Sequence, residues 1–468
     1  MTNRAISRLG ALFVILFVLL VARQAWVMLV AGPSISAKPY NPRHALLDAR
    51  RGRILASDGT VLAQTVDGKR VYPFGASLAQ TVGYVSARYG ESGLEDAYDR
   101  ALTPGDTTGD PAAQLAEIVA AISGRSSQAH GADVVTTIVP AIQRALWNQL
   151  SAHARGAGVV LDPRTGAVLA IASVPSFDPN AFDRIFSQLN DDAESPLIDR
   201  ATDGLYPPGS TFKIFTAGSA LEDGVVTMQT RFQDPGYLQI GDFTLHDNEG
   251  EATGNQDVTG AFALSSNVDF AQIALKMGAD DFYHDLARWG IGAPLDFQLP
   301  AAPGRVPPKD SIVPGELAQM GFGQGALLMS PLQMALITAT VANDGAMPRP
   351  YIVRQIVRGG SVASVTPTGT LATPISADTA AEVKKMMIAV VQRGTGTTAR
   401  LSGVTVAGKT GTATNPHGAA HSWFVCFAPA EHPRIAIAIV VENAGYGATV
   451  AAPIARTVMR TALDVVKD

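Results

Sequence analysis

The sequence predicts an α+β protein, with helices packed on a mostly antiparallel sheet behind an N-terminal transmembrane helix. Three observations carry this. Gly158–Leu161 and Ala167–Ala172 flank Asp162-Pro163-Arg164-Thr165-Gly166 as a hairpin whose arms are apolar on both faces, so it lies inside a covered sheet. Ser422–Phe427 and Ile435–Glu442 read as two more buried strands far downstream, so one sheet is assembled from both ends of a long region. Leu9–Ala22 is an uninterrupted apolar run preceded by Arg4 and Arg8.

Taken in order, residues 1–32 read as a cytoplasmic tail and anchor. Leu9–Ala31 reaches the ~20 residues a span requires if Arg23 snorkels to the outer interface. The positive residues ahead of it place everything after the span outside the cytoplasm. A cleaved signal peptide is the rival reading, because Leu9–Ala22 alone has the length of its apolar region. Gly32–Tyr40 is a linker. Asp58-Gly59 between apolar arms is a hairpin signal. Thr103–Pro111 and Gly124–Gly131 read as loops, and Asp133–Ile138 as a strand. Pro140 opens a helix to about His153, Pro being tolerated in the first turn. Thr211–Leu221, Ala261–Met277 and Ser330–Asn343 are helical, and Val450–Val466 closes the chain as a helix. No repeat and no long low-complexity segment interrupts this.

The 468 residues are 47% hydrophobic and 16% charged, enough apolar material for a large core or two domains. A net charge of -5 without a basic block argues against nucleic-acid binding. The single cysteine, Cys426, excludes an intrachain disulfide and reads as a small buried hydrophobe. His417 and His421 lie in a loop without obvious carboxylate neighbours, so no metal site is expected.

Three motifs carry chemistry. In Pro207-Pro208-Gly209-Ser210-Thr211-Phe212-Lys213, a rigid approach leads to a helix starting at or just after Ser210. The free N–H groups and positive end of that turn suit a nucleophile that becomes an alkoxide. Lys213 lies one turn on and could take the Ser210 proton if burial and a neighbouring cation lower its pKa. Alone, the pattern is expected by chance, and Ser210 reads as a helix cap. In Ser265-Ser266-Asn267, Ser265 could relay a proton and Asn267 hold an amide if the local helix start is irregular; alone it reads as a polar helix start. In Lys409-Thr410-Gly411-Thr412, Gly411 permits close approach of a substrate backbone, and Lys409 offers charge for a carboxylate and for tuning Lys213. The N–H groups of Thr412 and Ser210 could hold an oxyanion, such donors being worth about 10²–10³ in rate each.

Gly403-x-x-x-x-Gly408-Lys409-Thr410 also fits a phosphate-binding loop. That loop needs a strand before it and a helix after it. Here the loop itself is strand-like, and Gly411-Thr412-Ala413-Thr414-Asn415-Pro416 cannot start a useful helix.

The order Ser-x-x-Lys, Ser-x-Asn, Lys-Thr-Gly is the combination of penicillin-binding proteins and serine β-lactamases. With Arg51-Gly52-Arg53-Ile54, Arg70-Val71-Tyr72-Pro73, Gly83-Tyr84, Ser92-Gly93-Leu94-Glu95, Gly321-Phe322-Gly323-Gln324-Gly325 and Gly394-Thr395-Gly396-Thr397, the chain from Asn41 onward resembles the class B (monofunctional) penicillin-binding proteins, of the compact kind seen in actinobacterial penicillin-binding protein A. The resemblance implies a pedestal domain at residues 33–150, a D,D-transpeptidase domain at 151–468 and a single-pass extracytoplasmic placement. It further implies D-Ala-D-Ala stem peptides as substrate, covalent inhibition by β-lactams, a SEDS-family glycosyltransferase partner, and no cofactor. Under it Ser210, Lys213, Ser265, Asn267 and Lys409 are catalytic, and Thr410, Gly411 and Thr412 bind substrate. Asp199-Arg200-Ala201 stands where the family often has Asn-Arg-Ala. A D,D-carboxypeptidase, a β-lactamase or a β-lactam sensor on the same fold are the alternatives; a class A β-lactamase is disfavoured because no Glu-x-x-Leu-Asn lies between Asn267 and Lys409.

Overall fold

The computed structural model describes residues 2–26, 50–104, 130–247, 250–416 and 418–467. The expected linker, the segment Asn41-Pro42-Arg43 that also carries the resemblance, most of the loops expected between Thr103 and Gly131, and His417 lie outside them. Helix α1 (Thr2–Trp26) exposes Leu12–Val21 throughout. Among the described residues no helix is long and apolar enough to cross a membrane. The stretch of α1 whose side chains are described, 12–23, is itself shorter than a span.

Strands β1 (Ile54–Leu55) and β2 (Val61–Val66) pair antiparallel across the Asp58-Gly59 turn, and β3 (Lys69–Val71) follows. Strand β4 (Asp133–Thr136) precedes α2 (Pro140–Leu150), which ends where the turn at Ser151 begins. The apolar hairpin forms β5 (Gly156–Leu161) and β6 (Val168–Val174), buried along their full lengths. Helix α3 (Lys213–Glu222) precedes a polar lobe of β7 (Arg231–Asp234), β8 (Tyr237–Ile240), β9 (Phe243–His246) and β10 (Gly254–Asp257).

The helix expected over Ala261–Met277 is two helices, α4 (Val258–Leu264) and α5 (Asn267–Arg288). Ser265 breaks it in the left-handed region, φ 67°. Helix α6 (Pro331–Ala342) starts at a capping box in which Ser330 and Gln333 satisfy each other's end groups. Then come β11 (Val353–Arg358), β12 (Ser361–Val365), α7 (Ala377–Arg393), β13 (Ala407–Ala413), β14 (His421–Ala428), β15 (Ile435–Val441) and α8 (Ala451–Val465).

Among the described residues the main sheet has the order β13-β14-β15-β5-β6, antiparallel throughout. Helices α2 and α8 cover one face and α6 the other, so β15 is apolar and buried at every position. Each fully buried Ile or Val there contributes roughly 1.5–3 kcal/mol. The second sheet has the order β12-β11-β4-β1-β2-β3, with β1 and β4 parallel. Its outer hairpin, β11–β12, comes in sequence from between the main-sheet strands β6 and β13. Buried Arg51 binds Glu95 (2.9 Å), Glu91 (3.0 Å) and Asp99 (2.6 Å), and Arg70 shares Glu95 (2.7 Å). These ion pairs lock the Arg51-Gly52-Arg53 segment against the short helices near Glu95.

Candidate active site

Half-buried Ser210 sits in a 3-10 turn, Gly209–Phe212, that runs straight into α3, with the Lys213 amide donating to the Ser210 carbonyl. Three contacts fix this turn. Trp423 Nε1 donates to the Pro207 carbonyl (3.0 Å), the Gly209 amide donates to the Gly323 carbonyl (2.8 Å), and Tyr206 pairs with Met329. The Gly321–Gly325 run is therefore a turn buttressing the nucleophile loop, and Thr216 Oγ1 also donates to the Gly321 carbonyl (2.8 Å). Gly323 has φ +76°, and a Cβ there would stand 2.1 Å from the Gly209 carbonyl oxygen.

Strand β13 brings the third motif to the same place. It starts at Ala407, so Gly403–Val406 is not the strand and Lys409–Thr412 is. Both sequence conditions for a phosphate loop fail, because the chain stays extended to Ala413. As the edge of the main sheet, β13 leaves one side open beside the Ser210 turn. Gly411 lies so close to that turn that a Cβ would meet Thr211 Cγ2 at 2.9 Å and the Pro208 carbonyl at 3.1 Å.

The middle motif joins them. Lys213 Nζ donates to the Ser265 carbonyl (2.5 Å), Asn267 Oδ1 (2.9 Å) and Ser265 Oγ (3.3 Å). Lys409 Nζ donates to Ser265 Oγ (2.8 Å) and the Thr410 carbonyl (3.1 Å). Among the described residues this hydrogen-bonded set comprises Lys213, Ser265, Asn267, Lys409 and Thr410, and Ser210 is tied to it through its carbonyl, which accepts the Lys213 amide. Both lysines are fully buried, each near aromatic faces: Phe270 and Phe322 for Lys213, Phe262 for Lys409. Burial pushes Lys213 down to about 7, although the carboxylates of Asp247, Asp269 and Asp234 pull it back up. Burial, then the charge of Lys213, holds Lys409 well below the ordinary lysine range.

Thr410 is buried, its hydroxyl 2.5 Å from that of Thr395 in the Gly394–Thr397 run, whereas Thr412 is partly exposed. Asp199 accepts from Ser173 Oγ (2.7 Å) and from the Ala201 amide (3.0 Å), tying β6 to the turn ahead of the nucleophile. His421 is buried, its Nδ1 accepting from the Asn443 amide (3.1 Å), and among the described residues no group of His, Cys, Asp or Glu could hold a metal. Cys426 is buried, its thiol pushed up by burial.

Sequence reasoning missed the groups behind the motifs. Glu442 accepts from Arg200 (2.9 Å) and Tyr206 (2.8 Å), bracing the loop before Ser210. Asp234, Asp247 and Asp269 are buried beneath Ser265–Asn267. Asp234 and Asp247 are signalled only by turn contexts, Asp234-Pro235-Gly236 and Asp247-Asn248-Glu249-Gly250, and Asp269 by none.

The chain matches the penicillin binding protein transpeptidase domain over residues 156–460 and the penicillin binding protein A dimerisation domain over 51–134. It is 34% identical to the peptidoglycan D,D-transpeptidase PbpA of Mycolicibacterium smegmatis, covering 98% of this chain and 99% of that protein. Its fold superposes on penicillin-binding protein A from M. tuberculosis in its ceftriaxone acyl-enzyme complex with a TM-score of 0.82, at 31% identity over 90% of this chain and 100% of that one. The D,D-transpeptidase domain of a peptidoglycan glycosyltransferase from Eggerthella lenta gives a TM-score of 0.80 at 36% identity, covering 89% of this chain and 98% of that one. With two lysines converging on a serine beside a second serine at a helix start, the chain belongs to the class B penicillin-binding proteins and resembles mycobacterial PbpA.

Proposed function

We propose that the protein is a peptidoglycan D,D-transpeptidase that crosslinks stem peptides through a Ser210 acyl-enzyme and is acylated by β-lactams. The observation that carries this is the convergence of two fully buried lysines on Ser265 Oγ next to the Ser210 turn. An ammonium has three donors, and Lys213 uses them on three acceptors. With its pKa near 7 it readily becomes an amine, whose lone pair takes the Ser210 proton as Oγ attacks the D-Ala–D-Ala carbonyl. The amide nitrogen leaves as D-alanine, its proton arriving through Ser265 from the lysine pair. The amide groups of Ser210 and Thr412 hold the oxyanion, and Gly411 lets the substrate backbone approach. Asn267 holds the stem amide; Thr410 and Thr412 meet the terminal carboxylate. A neighbouring stem's amine then attacks the ester, forming the new amide and releasing Ser210.

Residues 1–32 serve as a membrane anchor, 33–150 as a pedestal and 151–468 as the extracytoplasmic catalytic domain, working beside a SEDS-family glycosyltransferase. The exposed apolar run Leu12–Val21 on α1 supports the anchor.

Fluorescent penicillin should label the full chain covalently, and Ser210→Ala should abolish the label. A labelled Ser210→Ala protein excludes Ser210 as nucleophile. Lipid-linked substrate should be crosslinked by the wild type. Hydrolysis without crosslinking would favour a carboxypeptidase, rapid turnover of penicillin a β-lactamase, and stable label without either a sensor.

A further inference from the structure

The polar lobe β7–β10 holds the middle motif from behind. Ser265 has no glycine's freedom, yet it adopts φ 67°, ψ 35°, a conformation that disfavours most side chains and persists only where surroundings enforce it. What enforces it lies on the next two residues. Ser266 Oγ donates to Asp234 Oδ2 (2.9 Å) and accepts from the Asp269 amide (3.0 Å), capping α5. The Asn267 amide donates to Asp247 Oδ1 (2.9 Å). Asp234 is itself fixed by Thr253 Oγ1 (2.7 Å) and the Gly236 amide (2.7 Å). Asp234 is fully buried and Asp247 nearly so.

Building on the acylation proposed above, we propose that Asp247, together with Asp234, is a positioning residue for that reaction. The pair clamps the turn that aims Ser265 Oγ between Lys213 and Lys409, and supplies the negative charge that faces Lys213 from the lobe. Among the described residues the charged groups around Lys213 are Lys409 on β13, Asp269 on α5 and these two carboxylates, which are hydrogen-bonded to each other; Ser265, Asn267 and the rings of Phe270 and Phe322 also face it. Asp247 thus acts twice, through a hydrogen bond and through charge, and substitutions separate the two. Asn at 247 keeps an oxygen for the Asn267 amide but loses the charge. Ala loses both.

The test is the second-order rate of acylation by fluorescent penicillin across pH, on the full-length chain in detergent. In Asp247→Asn the plateau should stay within about twofold of wild type, while the acid limb moves to lower pH by roughly half a unit to one unit, since the lost carboxylate no longer favours the charged amine. In Asp247→Ala the plateau should fall about tenfold, the scale of one buried hydrogen bond. Ser266→Ala should lower the plateau without moving the limb, and exposed Asp242→Asn should change neither. Thermal unfolding verifies folding, and if Asp247→Ala does not fold, the near-isosteric Asp247→Asn decides alone. An Asp247→Asn profile superimposed on wild type, or a folded Asp247→Ala with a wild-type plateau, overturns the positioning role. A wild-type protein that takes up no penicillin overturns instead the acylation reading on which it rests.

Discussion

At the scale of single residues, the site is a set of charges that burial has made expensive. Neither carboxylate oxygen of Asp269 meets a hydrogen-bond donor among the described residues, although the side chain is fully buried. Burial first, then the charge of Asp234, raises this carboxyl from 3.8 to about 7. Below pH 4 it is protonated in folded and unfolded chains alike and costs nothing. Between pH 4 and 7 the unfolded chain releases the proton while the folded chain keeps it, so stability falls as pH rises, and the full cost stands above 7. Asp269→Asn removes that dependence. Its melting temperature relative to wild type should climb from pH 4 to 7 and level off beyond, with a gain of up to a few kcal/mol at the plateau; a difference independent of pH would refute the assignment. The proposed catalytic residues Ser210, Lys213, Ser265, Asn267 and Lys409 could be picked out in the sequence because three short motifs follow one another in a set order. Asp234, Asp247 and Asp269 could not, since each is an ordinary polar residue until the lobe folds back over α5.

At the scale of elements, the nucleophile turn is held by parts that local propensity does not announce. Gly323 combines a positive φ with backbone contact to Gly209, so Gly323→Ala requires the Ser210 turn itself to move. Gly403 has the same φ, +76°, but a Cβ there would meet nothing within 4 Å. Gly403→Ala should cost only backbone strain, about 1 kcal/mol. Gly323→Ala should cost several times that and slow penicillin acylation by at least tenfold, a contrast read from paired melting curves and labelling rates. Equal effects at the two positions would show that the buttress is unimportant. The hairpins and α8 could be read from apolar pattern, and α2 and α6 also from Pro or Ser at their starts. The break at Ser265 was half legible: Ser265-Ser266-Asn267 reads as a polar helix start and Ser266 does cap α5, but Ala261–Met277 contains no helix breaker, so the left-handed turn at Ser265 could not be read. The reading of Lys409–Thr412 as the edge of a strand holds, and only its strand-like lead-in, Val404–Val406, lies outside β13. Lys409-Thr410-Gly411-Thr412 has little strand preference of its own, and pairing with the apolar β14 supplies it.

At the scale of the whole molecule, the two sheets are not built from successive lengths of chain. Strand β11 lies between β4 and β12, with Ile356 opposite Val134, although it falls inside the span that matches the transpeptidase domain. Ile356→Pro removes a ladder donor and should cost about 3 kcal/mol or more at that strand. Hydrogen exchange should then accelerate over Asp133–Thr136, more than a hundred residues upstream, while β15 stays protected; unchanged exchange there would contradict the shared sheet. The crossover also sets an order of events during synthesis. A chain emerging N-terminus first presents β1, β2, β3 and β4 early, yet the partner for β4's outer edge emerges only with Val353–Arg358. Until then the unit built on β1–β4 carries an unsealed strand edge, open to mispairing with its neighbours. The interval between the emergence of Thr136 and Val353 is therefore the window in which a chaperone would matter most to this protein.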